Sequence, residues 1–112
     1  MHINYIIDID GTICGDIQNE AGLEAVLNAV PFIDARERIN KWFNEGNTIT
    51  FFTARTEEMR AATEKWLLEN GFKYHNLIMN KPRGGDYFYI DNAKIQSMQV
   101  REGYWRFWNY WK

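Results

Sequence analysis

The stretch that most constrains this chain is Asp-Ile-Asp-Gly-Thr, which follows directly on the apolar run of residues 3–7. The apolar run predicts a buried strand, and Gly11 and Thr12 predict a turn after it. Alternate side chains of a strand share one face, so Asp8 and Asp10 converge if the strand continues through Asp10. Because unpaired carboxylates are costly to bury, the pattern favours a hard cation with oxygen ligands, above all Mg²⁺.

The composition is that of an ordinary globular protein, with 112 residues, 46% of them hydrophobic, and a formal net charge of -2. This length predicts one domain over residues 1–112. The net charge excludes a general attraction to nucleic acid or anionic membranes. The single cysteine, Cys14, cannot form an internal disulfide, which fits a reducing compartment. Since no signal peptide or membrane-spanning run is found, we expect a soluble, cytoplasmic protein without a membrane partner.

Strand and helix patterns alternate along the chain. The predicted strands cover residues 2–9, 48–52, 77–79 and 87–90; the predicted helices cover residues 34–45 and the stretch between Thr56 and Gly71. The fourth strand, Tyr-Phe-Tyr-Ile, is apolar at every position and is expected to be buried on both faces. This alternation predicts an α/β fold: a three-layer, Rossmann-like parallel sheet flanked by helices on both faces.

Polar side chains follow each predicted strand. In parallel sheets, ligands bind beyond the carboxyl ends of the strands, so we expect these side chains to meet at one edge. They are Asp8 and Asp10 after strand one, Thr53 and Arg55 after strand two, Lys81 after strand three, and Asp91 and Asn92 after strand four.

This set of residues suits phosphoryl transfer, which needs mainly positioning and charge stabilisation. Asp8, Asp10 and Asp91 offer oxygen ligands to Mg²⁺, which would neutralise part of a phosphate's charge. One carboxylate of the first pair can attack while the other moves protons. Thr53 offers a hydroxyl donor to a phosphoryl oxygen, and Lys81 offers a point positive charge.

The order of these residues along the chain separates two families. Receiver domains place the phosphorylated Asp after the acidic pair and before the Thr and Lys. Here the order is Asp pair, Thr, Lys, Asp, which resembles the haloacid dehalogenase (HAD) superfamily of phosphohydrolases. Residues 6–12, residues 51–53, Lys81 and residues 89–92 are similar to its first, second, third and fourth motifs.

The resemblance implies a role for each matched residue. Asp8 would be the nucleophile that becomes an aspartyl-phosphate. Asp10 would be the general acid/base, with its backbone carbonyl on the metal. Thr53 would hold the phosphoryl group, Lys81 would be the third-motif lysine, and Asp91 would bind the metal.

Further residues enter by the same resemblance. Gly11 and Thr12 of the first motif are expected to contact the substrate. Asn92 stands where many members carry a second acidic residue, and it would bind the metal through its carbonyl oxygen or through water. Asp86 offers another carboxylate in a spaced variant of that motif. Arg55 either grips a substrate phosphate or pairs with a nearby glutamate.

Closer similarities concern small cap-less members of the superfamily. The segments Thr-Ala-Arg (53–55), Lys-Pro (81–82) and Tyr-Ile-Asp (89–91) resemble members from capsular polysaccharide biosynthesis. The Arg after the motif-two hydroxyl resembles the phosphatase domain of polynucleotide kinase-phosphatases. Residues 14–33 are expected to form a flap or loop, with room for a short helix but not for a cap domain. We therefore expect an open, cap-less site that takes a sugar phosphate, a nucleotide or a nucleic-acid end.

The aromatic C-terminal tail, residues 98–112, has six aromatic residues among positions 104–111. It either packs on the sheet, forms a homo-oligomer interface or stacks on a base or sugar ring. Two functions remain open: a Mg²⁺-dependent phosphatase working through an aspartyl-phosphate, and a non-catalytic binding or assembly domain on the same scaffold. A metal-dependent glycosyltransferase is disfavoured because the chain is too short for a nucleotide-sugar domain.

Overall fold

The computed structural model describes residues 1–17, residues 21–101 and Trp105. Its centre is a parallel sheet of three strands in the order β1-β2-β3. The strands are β1 (Asn4–Ile7), β2 (Thr48–Phe52) and β3 (Asn76–Ile78), and the helices are α1 (Gly22–Leu27), α2 (Ile33–Asn44) and α3 (Arg60–Glu69), with a 3₁₀ turn at Glu57–Met59. The predicted α/β class with a parallel sheet is confirmed, and β2 has the predicted bounds.

Helix α2 shows how the apolar pattern selects the packed side of an element. Ala35, Ile39 and Trp42 recur every three or four residues and are buried, as expected for one stripe of a helix. The Trp42 ring stacks on Tyr5 of β1, with ring centroids 3.9 Å apart. Gly46, at φ +94°, then turns the chain into β2, a conformation that glycine adopts without strain.

Within the part of the chain that the structure describes, the helices cover one face of the sheet. On β2, Ile49 and Phe51 are fully buried and alternate with half-buried neighbours. On the opposite face of the neighbouring strands, Ile6 is 56% exposed and Ile78 is 48% exposed. The predicted cover on both faces was therefore wrong for the described residues. The reason is topological: both crossovers move in the same direction along the sheet, and right-handed crossovers of that kind place their helices on one side.

The predicted fourth strand was also wrong. Residues 87–90 form no strand, and their side chains are 57%, 89%, 60% and 85% exposed. Gly84 and Gly85, both at positive φ, turn the chain just before this segment. Within the described residues, β1 consequently pairs with β2 alone and keeps a free outer edge. An apolar run such as residues 87–90 indicates a preference for burial, but burial in a sheet also requires that the chain reach a free strand edge.

The described part of the aromatic tail supports packing on the core. Trp105 is 3% exposed, and its ring lies 6.0 Å from that of Trp42. The other aromatic positions, 104, 107, 108, 110 and 111, lie outside the described residues. Among the helices that the structure describes, none is long and apolar enough to cross a bilayer.

Candidate active site

Asp8 lies directly after β1, at the carboxyl edge of the sheet. Its Oδ2 accepts a hydrogen bond from the Thr12 hydroxyl at 3.2 Å, and its Oδ1 lies 3.8 Å from the Lys81 ammonium. The side chain is 37% exposed. Burial raises the pKa of the Asp8 carboxyl, and the positive charge of Lys81 opposes that rise. The structure thus places three predicted site residues together.

A tight turn sets the spacing of Asp8 and Asp10. Strand β1 ends at Ile7 and does not continue through Asp10. The amides of Thr12 and Ile13 both donate to the Ile9 carbonyl, at 3.0 and 2.9 Å. Ile9 itself is fully buried, so it anchors the turn between Asp8 and Asp10. Gly11 has φ +80°, a left-handed conformation that is strained for residues with a Cβ.

Asp10 is fixed by a buried arginine. Arg55 donates from Nε to Oδ2 of Asp10 at 3.0 Å and from Nη2 to Oδ1 at 2.7 Å, while its Nη1 donates to the Thr63 hydroxyl at 2.9 Å. Arg55 is only 2% exposed. The expected grip on a substrate phosphate does not fit this placement, because these donors are engaged inside the protein. The alternative, a salt bridge, is what the structure has, with Asp10 in place of a glutamate.

The second and third motifs are joined through the backbone. The Lys81 amide donates to the Thr53 carbonyl at 2.9 Å, and the Asn80 amide donates to the Arg55 carbonyl at 2.8 Å. Asn80 has φ +64°, a conformation that asparagine tolerates better than most residues. Thr53 is fully buried, and its hydroxyl oxygen accepts from the Arg55 amide at 3.2 Å. The Thr53 hydroxyl is therefore not open to the cleft in this structure.

An open cleft of about 550 Å³ adjoins Asp8. It is lined by Asp8, Asp10, Gly11, Thr12, Asp16, Val100 and Arg101. Four of these belong to the first motif. Asp16, Val100 and Arg101 were not among the predicted site residues. Asp16 lies close to the motif and could have been suspected, whereas no local pattern indicates that residues 100 and 101 return to it.

The fourth motif is not brought to this cleft. Asp91 is exposed, and its carboxylate accepts hydrogen bonds from the Ala93 amide and the Tyr89 hydroxyl, both at 3.0 Å. These bonds lower the pKa of the Asp91 carboxyl. No group of three or more His, Cys, Asp or Glu side chains in the described ranges is placed to hold a metal ion. Asp91 therefore does not complete a cluster with Asp8, and its neighbours Asn92 and Asp86 are exposed as well.

The residues at the cleft supply some, but not all, of the ligands that a Mg²⁺ ion needs. Both side-chain oxygens of Asp10 already accept hydrogen bonds from Arg55, which leaves the Asp8 carboxylate as the more available side-chain donor. Mg²⁺ is commonly held by one or two carboxylates together with water and substrate phosphate. Asp8 with the Asp10 main chain meets that description, and the predicted contributions of Asp91 and Asn92 stay predictions.

Comparisons with known proteins establish the fold and no more. No protein-family model and no curated protein matches the chain. Two solved structures are similar to it. One is the crystal structure of an MCSG target from Vibrio cholerae, with a TM-score of 0.60 and 24% identity over 94% of this chain and 87% of that one.

The second similar structure is a chain of a Pnkp1/Rnl/Hen1 complex, with a TM-score of 0.59 and 20% identity. The match covers 80% of this chain and 31% of the other, so this chain spans about a third of that neighbour. At these identities the likeness defines a shared α/β fold.

Proposed function

We propose that this protein is a Mg²⁺-dependent, cap-less phosphatase of the HAD type that hydrolyses phosphomonoesters through an aspartyl-phosphate. The observation that carries the proposal is the Asp8 carboxylate, which lines an open cleft at the carboxyl edge of the sheet, 3.8 Å from Lys81 and hydrogen-bonded to Thr12. A carboxylate there is accessible for attack, and its two polar neighbours hold it in one orientation.

In the first step an oxygen of Asp8 attacks the phosphorus of the ester. The bond to the alcohol oxygen breaks, and Asp10 gives that oxygen a proton. In the second step water attacks the aspartyl-phosphate, Asp10 takes a proton from the water, and inorganic phosphate leaves with Asp8 restored. Lys81 stabilises the negative charge of the phosphoryl group. Mg²⁺ held by Asp8 and the Asp10 main chain would neutralise part of that charge.

The role of Arg55 in this mechanism is to position Asp10. Two parallel N–H···O bonds fix the plane of a carboxylate better than one does. Asp10 is 16% exposed, so it faces little competing water. A group that must donate a proton to one oxygen and later accept one from water benefits from such fixed placement.

The open site favours extended substrates. Between β2 and β3 the described chain holds the 3₁₀ turn and α3, with no inserted domain. A cleft that residues 1–17, 21–101 and Trp105 leave uncovered accepts a phosphate at the end of a larger molecule, so the proposed substrates remain a sugar phosphate, a nucleotide or a nucleic-acid end.

The decisive experiment is Asp8→Asn, assayed with an aryl phosphate and Mg²⁺. We expect turnover to fall by at least about a thousandfold, since loss of a covalent nucleophile removes the reaction path. Circular dichroism should show an unchanged fold. Asp34→Asn, on the exposed start of α2, is the matched control and should retain full activity. Wild-type turnover in Asp8→Asn would exclude the mechanism.

A second candidate function is a non-catalytic binding or assembly domain. It is favoured by the position of Asp91 outside the cleft and by the exposed apolar residues 87–90. This alternative predicts no hydrolysis of any phosphate ester in a broad panel with Mg²⁺. It also predicts self-association in light scattering, which Phe88→Ser would abolish.

A further inference from the structure

Arg101 is a cation on the cleft wall that has no carboxylate partner among the residues that the structure describes. Two other cations lie near the first motif, and each has an acidic partner: Arg55 pairs with Asp10, and Lys81 lies beside Asp8. Arg101 is exposed on the cleft wall and has no carboxylate within 4.0 Å among the residues that the structure describes. Its charge is therefore available to a ligand.

The guanidinium of Arg101 is oriented by a neutral group. With its amide in the orientation that hydrogen bonding favours, Gln99 accepts from Nε and Nη2 of Arg101, at 3.1 Å each. An amide oxygen fixes the plane of the guanidinium without cancelling its charge. The Nη1 group then keeps its donors for a bound molecule.

The backbone around Arg101 is anchored to the core on both sides. Val100 packs against the buried cluster, and Trp105 is itself part of that cluster. The indole N–H of Trp105 donates to the carbonyl of Thr12, in the turn that follows Asp8. Arg101 thus follows a residue that packs on the core and lines the same cleft as the proposed nucleophile, and a binding residue supported in this way can select a substrate.

We infer that Arg101 forms a second anion subsite, which binds an additional phosphate group on the substrate, remote from the one that Asp8 attacks. The inference rests on the proposed function and names its substrate class: phosphomonoesters that carry a second phosphate. An arginine fork matches a phosphate in charge and geometry. The other ionisable groups that line the cleft are Asp8, Asp10 and Asp16, and Lys81 lies beside Asp8, so the positive charge that lines the cleft away from the attacked phosphate is that of Arg101. A cleft of about 550 Å³ has the size of ordinary small-molecule sites.

The test compares a hexose monophosphate with the corresponding hexose bisphosphate as substrates. In the wild type we expect the bisphosphate to have a KM about tenfold lower, the factor expected for one hydrogen-bonded charge contact. Arg101→Ala should bring the two KM values together, and Arg101→Lys should restore part of the difference. Arg83→Ala, an exposed arginine outside the cleft, is the matched control and should keep the wild-type ratio.

Two outcomes would overturn the subsite: no preference for the bisphosphate in the wild type, or an unchanged KM ratio in Arg101→Ala. Failure of the proposed function is recognised separately, as absence of any turnover. In that case calorimetric titration with the hexose bisphosphate replaces kinetics. A dissociation constant that rises about tenfold in Arg101→Ala supports the subsite, whereas equal affinity or no binding by the wild type overturns it.

Discussion

Two acidic segments of this molecule have opposite surroundings. Around Asp8 and Asp10, packing and hydrogen bonds fix the neighbouring residues. Ile9 and Ile13 are fully buried, and Arg55 donates two hydrogen bonds to Asp10. Around Asp91, the chain has no regular structure, and the apolar residues 87–90 are exposed. Both segments have the sequence of an apolar strand that ends in aspartate. The difference shows that a strand-like run acquires a fixed site only where other parts of the chain pack on it.

The largest expected difference between the two segments is in packing energy, and one substitution made at two places measures it. Phe51→Ala should lower the free energy of unfolding by about 3–5 kcal/mol, since Phe51 is fully buried between Phe72 and Tyr74. Phe88→Ala should change it by less than about 0.5 kcal/mol, because Phe88 is 89% exposed. Urea denaturation measures both. A loss of about 2 kcal/mol or more in Phe88→Ala would mean that residues 87–90 pack as a strand in solution.

Loss of the arginine behind Asp10 should have the next largest effect. Arg55→Met keeps much of the side-chain volume but leaves a largely buried carboxylate and the buried Thr63 hydroxyl without their donors. We expect the free energy of unfolding to fall by about 3 kcal/mol. Arg83→Met, at an exposed position, is the control and should stay within about 0.5 kcal/mol of the wild type. Equal stability of the two variants would contradict the buried network.

Activity should separate Asp10 from Asp91. Asp10→Asn should reduce kcat/KM for an aryl phosphate by at least about a hundredfold, because general acid–base groups contribute on that scale. Asp91→Asn should reduce it by less than about tenfold, since Asp91 is not placed at the cleft. Titration with Mg²⁺ completes the comparison. A metal requirement altered as strongly by Asp91→Asn as by Asp10→Asn would contradict the position of Asp91 outside the cleft.

The reactivity of the Cys14 thiol shows whether the segment around Asp8 and Asp10 opens in solution. In the native protein we expect no reaction. Burial raises the pKa of the Cys14 thiol to about 12, so at pH 8 the thiol is protonated and unreactive. Iodoacetamide at pH 8 should leave the native protein unmodified and should label it in denaturant, where the pKa returns to its ordinary range. Since the folded protein holds the thiol proton more tightly, this group makes the folded state less stable as the pH rises from about 9 toward 12. Fast labelling of the native protein would contradict the rigidity of the segment.

Local patterns predicted the elements that depend on local features. The run of β-branched and aromatic residues predicted the bounds of β2. The motifs after the first and third strands contain Asp8, Thr12 and Lys81, and the structure places these three residues together. Features that depend on residues far apart in the sequence could not be predicted from local patterns. The bonds of Arg55 to Asp10 and the return of Arg101 to the cleft join positions far apart in sequence, and no periodicity encodes such pairs. The exposed residues 87–90 illustrate the same limit, since an apolar pattern indicates a preference for burial without naming the partner.

One hydrogen bond also orders events in time. The Trp105 indole donates to the Thr12 carbonyl across 93 positions of chain. During synthesis, β1, β2 and β3 can pair soon after each emerges, because their crossovers are sequential and short. The turn after Asp8 must wait until residue 105 has been made before it receives this bond. A ribosome-bound chain that lacks Trp105 would thus carry the sheet but an unfinished cleft, so the cleft would be completed after the scaffold on which it rests.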